Sequence, residues 1–209
     1  MILDNQLETE LVYGLEKLGL DTTDFQRNAL LEYLNLLLKW NKVYNLTAVR
    51  DPLKMVTRHL LDSLSIAPWC IGQRLIDVGT GAGLPGIPLA ILYPNKHVHL
   101  LDSNSKKTRF LVQVKSALGL NNICVHHARV ESFIPSERYD VVLSRAFASL
   151  ADMVSSCENL LNKSGQFLAM KGALLESDLA SLTDYTVDVH KLIVPALDEQ
   201  RHLIILSGK

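Results

Sequence analysis

The chain has 209 residues, of which 48% are hydrophobic, 21% charged and 6% aromatic. This length and composition suit one α/β domain with a small extension, and they exclude a disordered or fibrous chain. The 21 Lys and Arg residues nearly balance the 22 Asp and Glu residues, and the resulting net charge of -1 argues against a protein that is basic throughout.

The charge is unevenly distributed along the chain. Residues 39–150 hold 14 basic and seven acidic side chains, whereas residues 1–38 and 151–209 are both acidic. A nucleic-acid partner would therefore contact a local basic patch of the middle segment. We expect such binding to be weak on nonspecific RNA and to weaken further with added salt.

The cysteines and the apolar runs indicate the compartment. Cys70, Cys124 and Cys157 are widely spaced and odd in number, which fits neither a disulfide framework nor a metal site. No apolar run approaches the roughly 20 residues of a membrane span. Acidic residues in the first ten positions stand where a signal peptide would carry positive charge. We therefore expect a cytoplasmic protein without metal or membrane association, and a monomer by default.

The first 70 residues predict helices. In a first run, apolar residues recur at helical spacing at Leu7, Leu11, Leu15 and Leu18. A second run begins with Thr22 or Thr23 as its N-cap. The inward face of this second helix is predicted to carry Phe25, Leu30, Leu34, Leu37 and Leu38.

A third helix is predicted to begin at Asp51, which a proline follows, and to end near Ser65. Arg50, Lys54 and Arg58 are spaced four residues apart and would form one basic stripe on this helix. The stripe is a candidate contact for the phosphates of a nucleic acid. A solvated helix face is the alternative interpretation.

From Arg74 onwards, short apolar runs alternate with helical segments, which predicts a parallel sheet with helices on both faces. The predicted strands are Leu75–Val78, His97–Leu101, Ile123–His126, Val141–Leu143 and Phe167–Met170. The predicted helices between them lie near 85–93, 106–118 and 149–161. Two later β-rich runs, Val187–Val194 and His202–Leu206, predict an antiparallel hairpin at the sheet edge. We therefore expect a helical extension over residues 1–70 and an α/β domain over residues 71–209.

A glycine-rich loop follows the first predicted strand, with the sequence Asp77-Val-Gly-Thr-Gly-Ala-Gly-Leu-Pro-Gly86. Glycines permit a tight turn and the close approach of a ligand, and the N-terminus of the next helix favours negative charge. Gly81, Gly83 and Gly86 fit the GxGxxG pattern of dinucleotide sites, whereas the run from Asp77 fits the D-x-G-x-G-x-G pattern of S-adenosylmethionine (SAM) sites. Asp102, at the end of the next strand, would meet the ribose hydroxyls of either cofactor.

Two observations favour SAM over a nicotinamide cofactor. The chain after Leu150 is short for the substrate domain that an oxidoreductase usually needs. The terminal hairpin also suits a methyltransferase sheet better than a dehydrogenase sheet. A nicotinamide oxidoreductase, a small-molecule methyltransferase and a non-catalytic nucleotide-binding module stay as alternatives at this point.

The segment after the third strand is a candidate adenine site, because ligands bind at the carboxyl ends of strands in such sheets. Within Ala128-Arg-Val-Glu131, Val130 would pack on the adenine ring and Glu131 would accept a hydrogen bond from its amino group. The alternative is an ordinary helix start with a favourable acidic residue in the first turn.

The segment after the fourth strand, Ser144-Arg-Ala-Phe147, restricts the chemistry by what it lacks. It has neither the Asn/Asp-Pro-Pro-aromatic run of amino-methylating enzymes nor the cysteine nucleophile of pyrimidine-C5 enzymes. A ribose 2′-O enzyme would use a lysine such as Lys171, but it would also need an aspartate where Arg145 stands.

Three segments of the chain carry a resemblance to one known family. They are the run Asn45-Leu-Thr-Ala-Val-Arg50 with Arg58-His-Leu-Leu-Asp-Ser63, the glycine-rich loop, and Ser144-Arg-Ala-Phe-Ala-Ser149. Further matches are Lys171-Gly172 and Pro195-Ala-Leu-Asp198 with Arg201-His202. Together they resemble the ribosomal RNA small-subunit methyltransferase G family, also called glucose-inhibited division protein B, over nearly the whole chain.

The resemblance implies a Rossmann-like class I SAM-dependent methyltransferase with a mostly parallel seven-stranded sheet. It also implies methylation of N7 of one guanine, guanine-527, in 16S rRNA or the 30S ribosomal subunit. Carried over to this sequence, the cofactor-binding residues are Gly79, Gly81, Gly83, Leu84, Asp102, Val130, Glu131 and Arg145. The candidate RNA-binding residues are Arg50, Lys54, Arg58, Arg129, Lys171 and Arg201.

Methylation of guanine N7 requires no general base, because this atom has an in-plane lone pair that is free at neutral pH. Catalysis then consists largely of holding N7, the methyl group and the sulfur in line. We therefore interpret Arg145 as a positioning residue whose partner is a phosphate or the cofactor carboxylate. N7 lies in the deep, narrow major groove of A-form RNA, so the target should be an unpaired base.

Overall fold

The computed structural model describes residues 2–145, 147, 149–173, 179 and 182–208. The helices are α1 (Ile2–Lys17), α2 (Asp24–Tyr44), α3 (Pro52–Met55), α4 (Asp62–Leu64), α5 (Gly86–Leu92), α6 (Ser105–Leu118) and α7 (Leu150–Cys157), and a π-helical turn (Val56–Leu61) joins α3 to α4. Short 3-10 helices occur at Ala67–Trp69, Val130–Ser132 and Glu158–Leu160. The strands are β1 (Arg74–Val78), β2 (His97–Asp102), β3 (Ile123–His127), β4 (Tyr139–Ser144), β5 (Leu161–Lys171), β6 (Tyr185–Leu192) and β7 (Arg201–Gly208). Within the described ranges, no helix is both long and apolar enough to cross a membrane.

The seven strands form one sheet in the order β3-β2-β1-β4-β5-β7-β6. Strands β1 to β5 run parallel to one another, whereas β7 is antiparallel to both β5 and β6. This arrangement confirms the predicted Rossmann-like sheet and its C-terminal hairpin. Strand β5 begins at Leu161 rather than Phe167, because its register with β4 shifts between Tyr139 and Val141 and extends the pairing.

Apolar side chains are buried on both faces of the sheet. On one face, α5, α6 and the N-terminal helices cover side chains such as Val98 and Leu100 in a single core. On the other face, α7 covers side chains such as Val142 and Phe167. Because the strand order reverses between β1 and β4, the carboxyl ends of these strands open a crevice suited to a ligand.

Helix α2 begins with a capping box at Thr23, one of the two predicted N-caps. The Thr23 side chain accepts from the Gln26 N–H at 3.2 Å, and the Gln26 side chain accepts from the Thr23 N–H at 2.9 Å. These two hydrogen bonds satisfy N–H groups that have no partner inside the helix.

The prediction that Phe25 faces inward is wrong, since its side chain is 77% exposed. At about 100° of rotation per residue, Gln26 rather than Phe25 lies on the side of α2 that carries the buried Leu30. The Gln26 amide there donates to the carbonyl oxygens of Ile91 at 3.2 Å and Leu92 at 2.9 Å. A polar anchor to the end of α5 therefore takes the place of the expected apolar contact.

Helix α2 also supports the glycine-rich loop from behind. The Tyr33 hydroxyl donates to the carbonyl oxygen of Ala82 at 2.8 Å, and both groups are buried. The Tyr33 ring lies 6.3 Å from the ring of Phe110 in α6. The N-terminal helices therefore hold the loop as well as covering the sheet.

The third helix begins where predicted, because the Asp51 carboxylate caps N–H groups of its first turn. Arg50 precedes this cap and donates to the Asn45 side chain at 3.2 Å. The π-helical turn then changes the spacing between Lys54 and Arg58. Arg50 therefore lies outside the predicted stripe, whereas Lys54 and Arg58 line the same cavity.

Gly14 of α1 packs directly on the π-helical turn. A Cβ atom at this position would overlap the Cδ1 atom of Leu61, which is fully buried. We expect Gly14→Ala to lower the free energy of unfolding by about 1–3 kcal/mol, because overpacking outweighs the roughly 1 kcal/mol gained in helix propensity. Urea unfolding followed by circular dichroism measures the change. Glu8→Ala, at an exposed position of α1, is the control, and a Gly14→Ala protein as stable as the wild type would contradict this packing.

Candidate functional site

The glycine-rich loop connects β1 to α5, and three of its glycines adopt a left-handed backbone. The angle φ is +68° at Gly79, +63° at Gly81 and +95° at Gly83, values that other residues rarely adopt. The N–H groups of Gly79 and Thr80 donate to the carbonyl oxygen of Leu101 at 2.9 Å and 3.2 Å. The loop is therefore tied to the end of β2.

Two of these glycines also differ in what surrounds them. A Cβ atom at Gly83 would lie 2.5 Å from Ile87 and 2.8 Å from Leu111, so this glycine allows the loop to pack on α5 and α6. A Cβ atom at Gly81 would have its nearest neighbours 3.9 Å and 4.0 Å away. Gly83 therefore serves internal packing, whereas Gly81 leaves open space beside the loop.

Asp77, the acidic residue of β1, binds the loop from its buried side. Its Oδ2 atom accepts from the Thr80 hydroxyl at 2.7 Å and from the Gly86 N–H at 2.8 Å. Its Oδ1 atom is buried without a hydrogen-bond partner among the described residues. Burial raises the pKa of this carboxyl to about 6, and the two hydrogen bonds oppose that shift.

A cavity of about 310 Å³ opens at the carboxyl ends of β1, β2 and β3. This volume is in the range of cofactor pockets. The predicted cofactor residues that line it are Gly79, Asp102, Val130 and Glu131, together with the predicted RNA contact Arg129. Ser103, Lys107 and Phe147 also line it and were not among the predicted cofactor residues. The sequence could have indicated Lys107, because this residue lies in the first turn of the helix that follows Asp102.

Asp102 lies in the wall of this cavity, and hydrogen bonds orient its carboxylate. Its Oδ1 atom accepts from the Asn104 N–H at 2.8 Å, and its Oδ2 atom accepts from the Gly81 N–H at 2.9 Å. The Lys107 ammonium lies 3.6 Å from Oδ2. Gly81 thus acts on the cavity through the carboxylate that it orients.

The other predicted cofactor residues lie elsewhere. Leu84 is buried in the core behind the loop with 7% of its surface exposed, and Gly83 packs beside it on α5 and α6. Arg145 lies at a second cavity of about 280 Å³, which is lined by Asp62, Arg145, Met170, Lys171, Gly172 and Arg201. Arg145 therefore lines a different cavity from Asp102, and its contact with the cofactor stays a prediction.

Lys171 and Phe147 connect the two cavities. The Lys171 ammonium donates to the Phe147 carbonyl oxygen at 2.7 Å, while the residue Phe147 lines the first cavity and Lys171 lines the second. The two cavities are therefore neighbours along the carboxyl edge of the sheet, and one hydrogen bond links their walls.

Two of the remaining RNA candidates lie farther along this edge. Lys54 and Arg58 line a third cavity of about 340 Å³, next to residues 196–199. Arg58 forms an ion pair with Glu199, and Glu199 lies 3.7 Å from Arg201 of the second cavity. The structure thus brings Arg58, Arg201 and Arg145 into one neighbourhood, whereas Arg50 stays with Asn45 before α3.

Sequence comparison agrees with this geometry. The profile of the family described as rRNA small subunit methyltransferase G matches residues 26–204. The chain belongs to this family. The ribosomal RNA small subunit methyltransferase G of Salmonella arizonae is 53% identical over 196 residues, which are 93% of this chain and 95% of that protein. The protein of the same name from Escherichia coli O1:K1 has the same identity and coverage.

Solved structures share the fold of this methyltransferase G family chain. Magnesium protoporphyrin IX methyltransferase from Synechocystis PCC 6803, with bound SAM, has a TM-score of 0.60 at 14% identity and covers 84% of this chain and 97% of its own. A ribosomal protein L11 methylase from Lactobacillus delbrueckii subsp. bulgaricus has a TM-score of 0.57 at 20% identity, over 71% of this chain and 77% of its own. The fold is therefore that of class I SAM-dependent methyltransferases, and family membership favours the SAM pattern over the dinucleotide pattern in the loop.

The raised pKa of Asp77 predicts a dependence of stability on pH. Its native pKa of about 6 lies above the ordinary value of 3.8, so between these values the native state binds more protons than the unfolded state. The stabilisation that protonation of Asp77 provides is complete below pH about 4 and is lost as the pH rises through 6. The shift corresponds to a loss of up to about 3 kcal/mol in the free energy of unfolding.

We therefore expect the free energy of unfolding of the wild type, relative to Asp77→Asn, to fall between pH 4 and pH 7. Urea unfolding without added cofactor measures this difference. Burial lowers the pKa of His59 and His99 to about 4, and this shift makes the stability of both proteins rise with pH over the same range. Because the wild type and Asp77→Asn share this rise, it cancels in the difference between their free energies of unfolding. A difference that stays constant with pH would contradict the raised pKa.

Proposed function

We propose that this protein transfers a methyl group from SAM to N7 of a guanine in 16S rRNA, with guanine-527 as the target. The observation that carries the proposal is the pair of neighbouring cavities. One has the residues expected for the cofactor, and the other is lined by three cations, in a chain of the rRNA small subunit methyltransferase G family.

The residues of the first cavity fit SAM. Both oxygens of Asp102 already accept backbone N–H groups, and an ionised carboxylate has about four acceptor sites, so two stay available for the ribose hydroxyls. Val130 and Glu131 would receive the adenine. The left-handed backbone at Gly79 lets the loop approach the cofactor closely. SAM, when bound, supplies the methyl group as an electrophile.

The second cavity supplies positive charge for the RNA. Arg145, Lys171 and Arg201 line it, and Arg129 lies in the first cavity. Phosphate contacts by such side chains fix the register of the RNA without reading its sequence. An unpaired guanine held between the cavities would present N7 to the methyl group, and no residue is required to remove a proton.

The proposal extends to the whole chain. Residues 71–209 act as the SAM-binding domain, and residues 1–70 act as a helical extension that supports it. The enzyme works as a cytoplasmic monomer on 16S rRNA in the 30S subunit. The 53% identity over 93% of the chain to a protein named ribosomal RNA small subunit methyltransferase G supports rRNA of the small subunit as the substrate.

Asp102→Asn tests the cofactor site. We expect it to weaken SAM binding about 10- to 100-fold, because one charge-assisted acceptor for the ribose hydroxyls is lost. Isothermal titration calorimetry measures the dissociation constant, and a SAM-induced rise in melting temperature without a response to NAD supports it. Asp188→Asn, at an exposed position of β6, is the control. Unchanged SAM affinity in Asp102→Asn would refute the role of Asp102.

Labelling of ribosomal RNA tests the reaction. The purified protein is incubated with methyl-labelled SAM and with 30S subunits or 16S rRNA from a strain that lacks the enzyme. We expect one methyl group on guanine-527, detected by chain cleavage at N7-methylguanine. Subunits from the parental strain, which already carry the modification, are the control and should take up no label. Absence of label at any guanine N7 would refute the proposal.

A further inference from the structure

The two arginines of the second cavity share one buried carboxylate. The Arg145 Nη1 atom lies 3.1 Å from Oδ2 of Asp62, and the Arg201 Nε atom lies 3.1 Å from Oδ1. The Asp62 side chain is only 4% exposed, against 29% for Arg145 and 22% for Arg201. One oxygen is thus assigned to each guanidinium, and the carboxylate lies beneath both.

This cluster joins three separate parts of the chain. Asp62 begins α4, Arg145 directly follows β4, and Arg201 begins β7. In sequence, Asp62 is 83 residues from Arg145 and 139 residues from Arg201. The N-terminal helices therefore contact both strands at the edge where the second cavity opens.

Each member of the cluster depends on the others electrostatically. Burial raises the pKa of Asp62, while the charges of Arg145 and Arg201 act in the opposite direction. Without the carboxylate, two guanidinium groups would face each other across a small space and repel. Without the arginines, a carboxylate would be buried without a counter-charge. The orientation of each guanidinium is consequently set by Asp62.

Both arginines have N–H donors that Asp62 does not use and that a ligand could engage. A guanidinium has five N–H donors in a fixed plane, and the contact with Asp62 engages one nitrogen of each arginine. Arg201 also donates through Nη1 to the carbonyl oxygen of Gln200 at 2.9 Å, and its Nη2 atom forms an ion pair with Glu199 at 3.7 Å. The exposed part of Arg145 lines the cavity together with Lys171, and guanidinium groups bind phosphate oxygens with two parallel hydrogen bonds.

The local helix geometry fixes the position of Asp62. The π-helical turn immediately precedes Asp62 and contains more residues per turn than an α-helix. The Asp62 carboxylate therefore points in a different direction from the one it would have in a regular α-helix that starts after Asp51. His59 in that turn is buried and shares a hydrogen bond with the Thr47 hydroxyl at 2.9 Å. The turn is thus anchored independently of the two arginines.

We propose that Asp62 is a positioning residue that holds Arg145 and Arg201 as a preformed receptor for one phosphate group of the RNA. The inference rests on the proposed function, and it assigns Asp62 no part in proton transfer, because both of its oxygens face guanidinium groups. Loss of the carboxylate should weaken RNA binding far more than SAM binding, since Asp62 lines the second cavity and is not among the described residues that line the first.

The test compares Asp62→Asn with the wild type in direct RNA binding, in SAM binding and in methylation. We expect the dissociation constant for 16S rRNA to rise about 10-fold or more, with KM for RNA raised in parallel and the SAM affinity within about twofold. The plot of log affinity against log salt should become less steep by about 0.7 to 0.9, the contribution of one phosphate contact. Asp62→Glu, which keeps the charge, should restore part of both the affinity and the slope.

Leu60→Ala is the control for a purely structural effect. Leu60 is fully buried two residues away from Asp62, so its truncation lowers the melting temperature without removing a partner of either arginine, and it should leave the salt slope unchanged. If Asp62→Asn does not fold, Asp62→Glu alone carries the test, with an intermediate loss of RNA affinity and an unchanged SAM affinity.

Two outcomes overturn the inference. In the first, the Asp62 variants bind RNA with the affinity and salt slope of the wild type. In the second, they lose SAM affinity and RNA affinity together, in proportion to the fall in their melting temperature, as a purely structural variant such as Leu60→Ala would. A wild type that binds RNA but does not methylate it refutes the proposed function alone, and a wild type that binds no RNA refutes both.

Discussion

The carboxylate of Asp77 is the interaction on which the site depends. It lies near the end of β1 and accepts hydrogen bonds from the Thr80 hydroxyl and from the first N–H of α5. One oxygen atom therefore connects the strand, the loop and the helix. The loop in turn presents the Gly81 N–H that orients Asp102. The cofactor cavity is thus assembled by a short chain of hydrogen bonds that starts from a buried charge.

Local sequence signals were sufficient for most of the fold. Alternating apolar runs predicted each of the seven strands, and Thr23 and Asp51 marked two helix starts correctly. The errors concern features that depend on tertiary contacts. Phe25 is apolar but lies on the wrong side of α2, and a π-helical turn has no local signature that periodicity detects. A sequence pattern describes one element, whereas these features follow from what the element packs against.

Local sequence signals also predict several of the residues that line the first cavity. Asp102 and Glu131 are predictable because Asp102 ends β2 and Glu131 closely follows β3 at the carboxyl edge, and both line the first cavity. The link between Asp62 and its two arginines had no such signal, since the three residues are far apart in sequence. The near-zero net charge is equally a property of the whole chain, and it concealed cations that the fold gathers at one edge of the sheet.

The contact between Tyr33 and the glycine-rich loop has a consequence for synthesis on the ribosome. Helix α2 emerges early, but the groups that bury Tyr33, namely Ala82 and Phe110, emerge later. At 5–20 residues per second, the interval between Tyr33 and Phe110 is roughly 4–15 s. During that time the apolar side of α2 lacks these partners, so the nascent N-terminal helices expose apolar surface that a chaperone would shield.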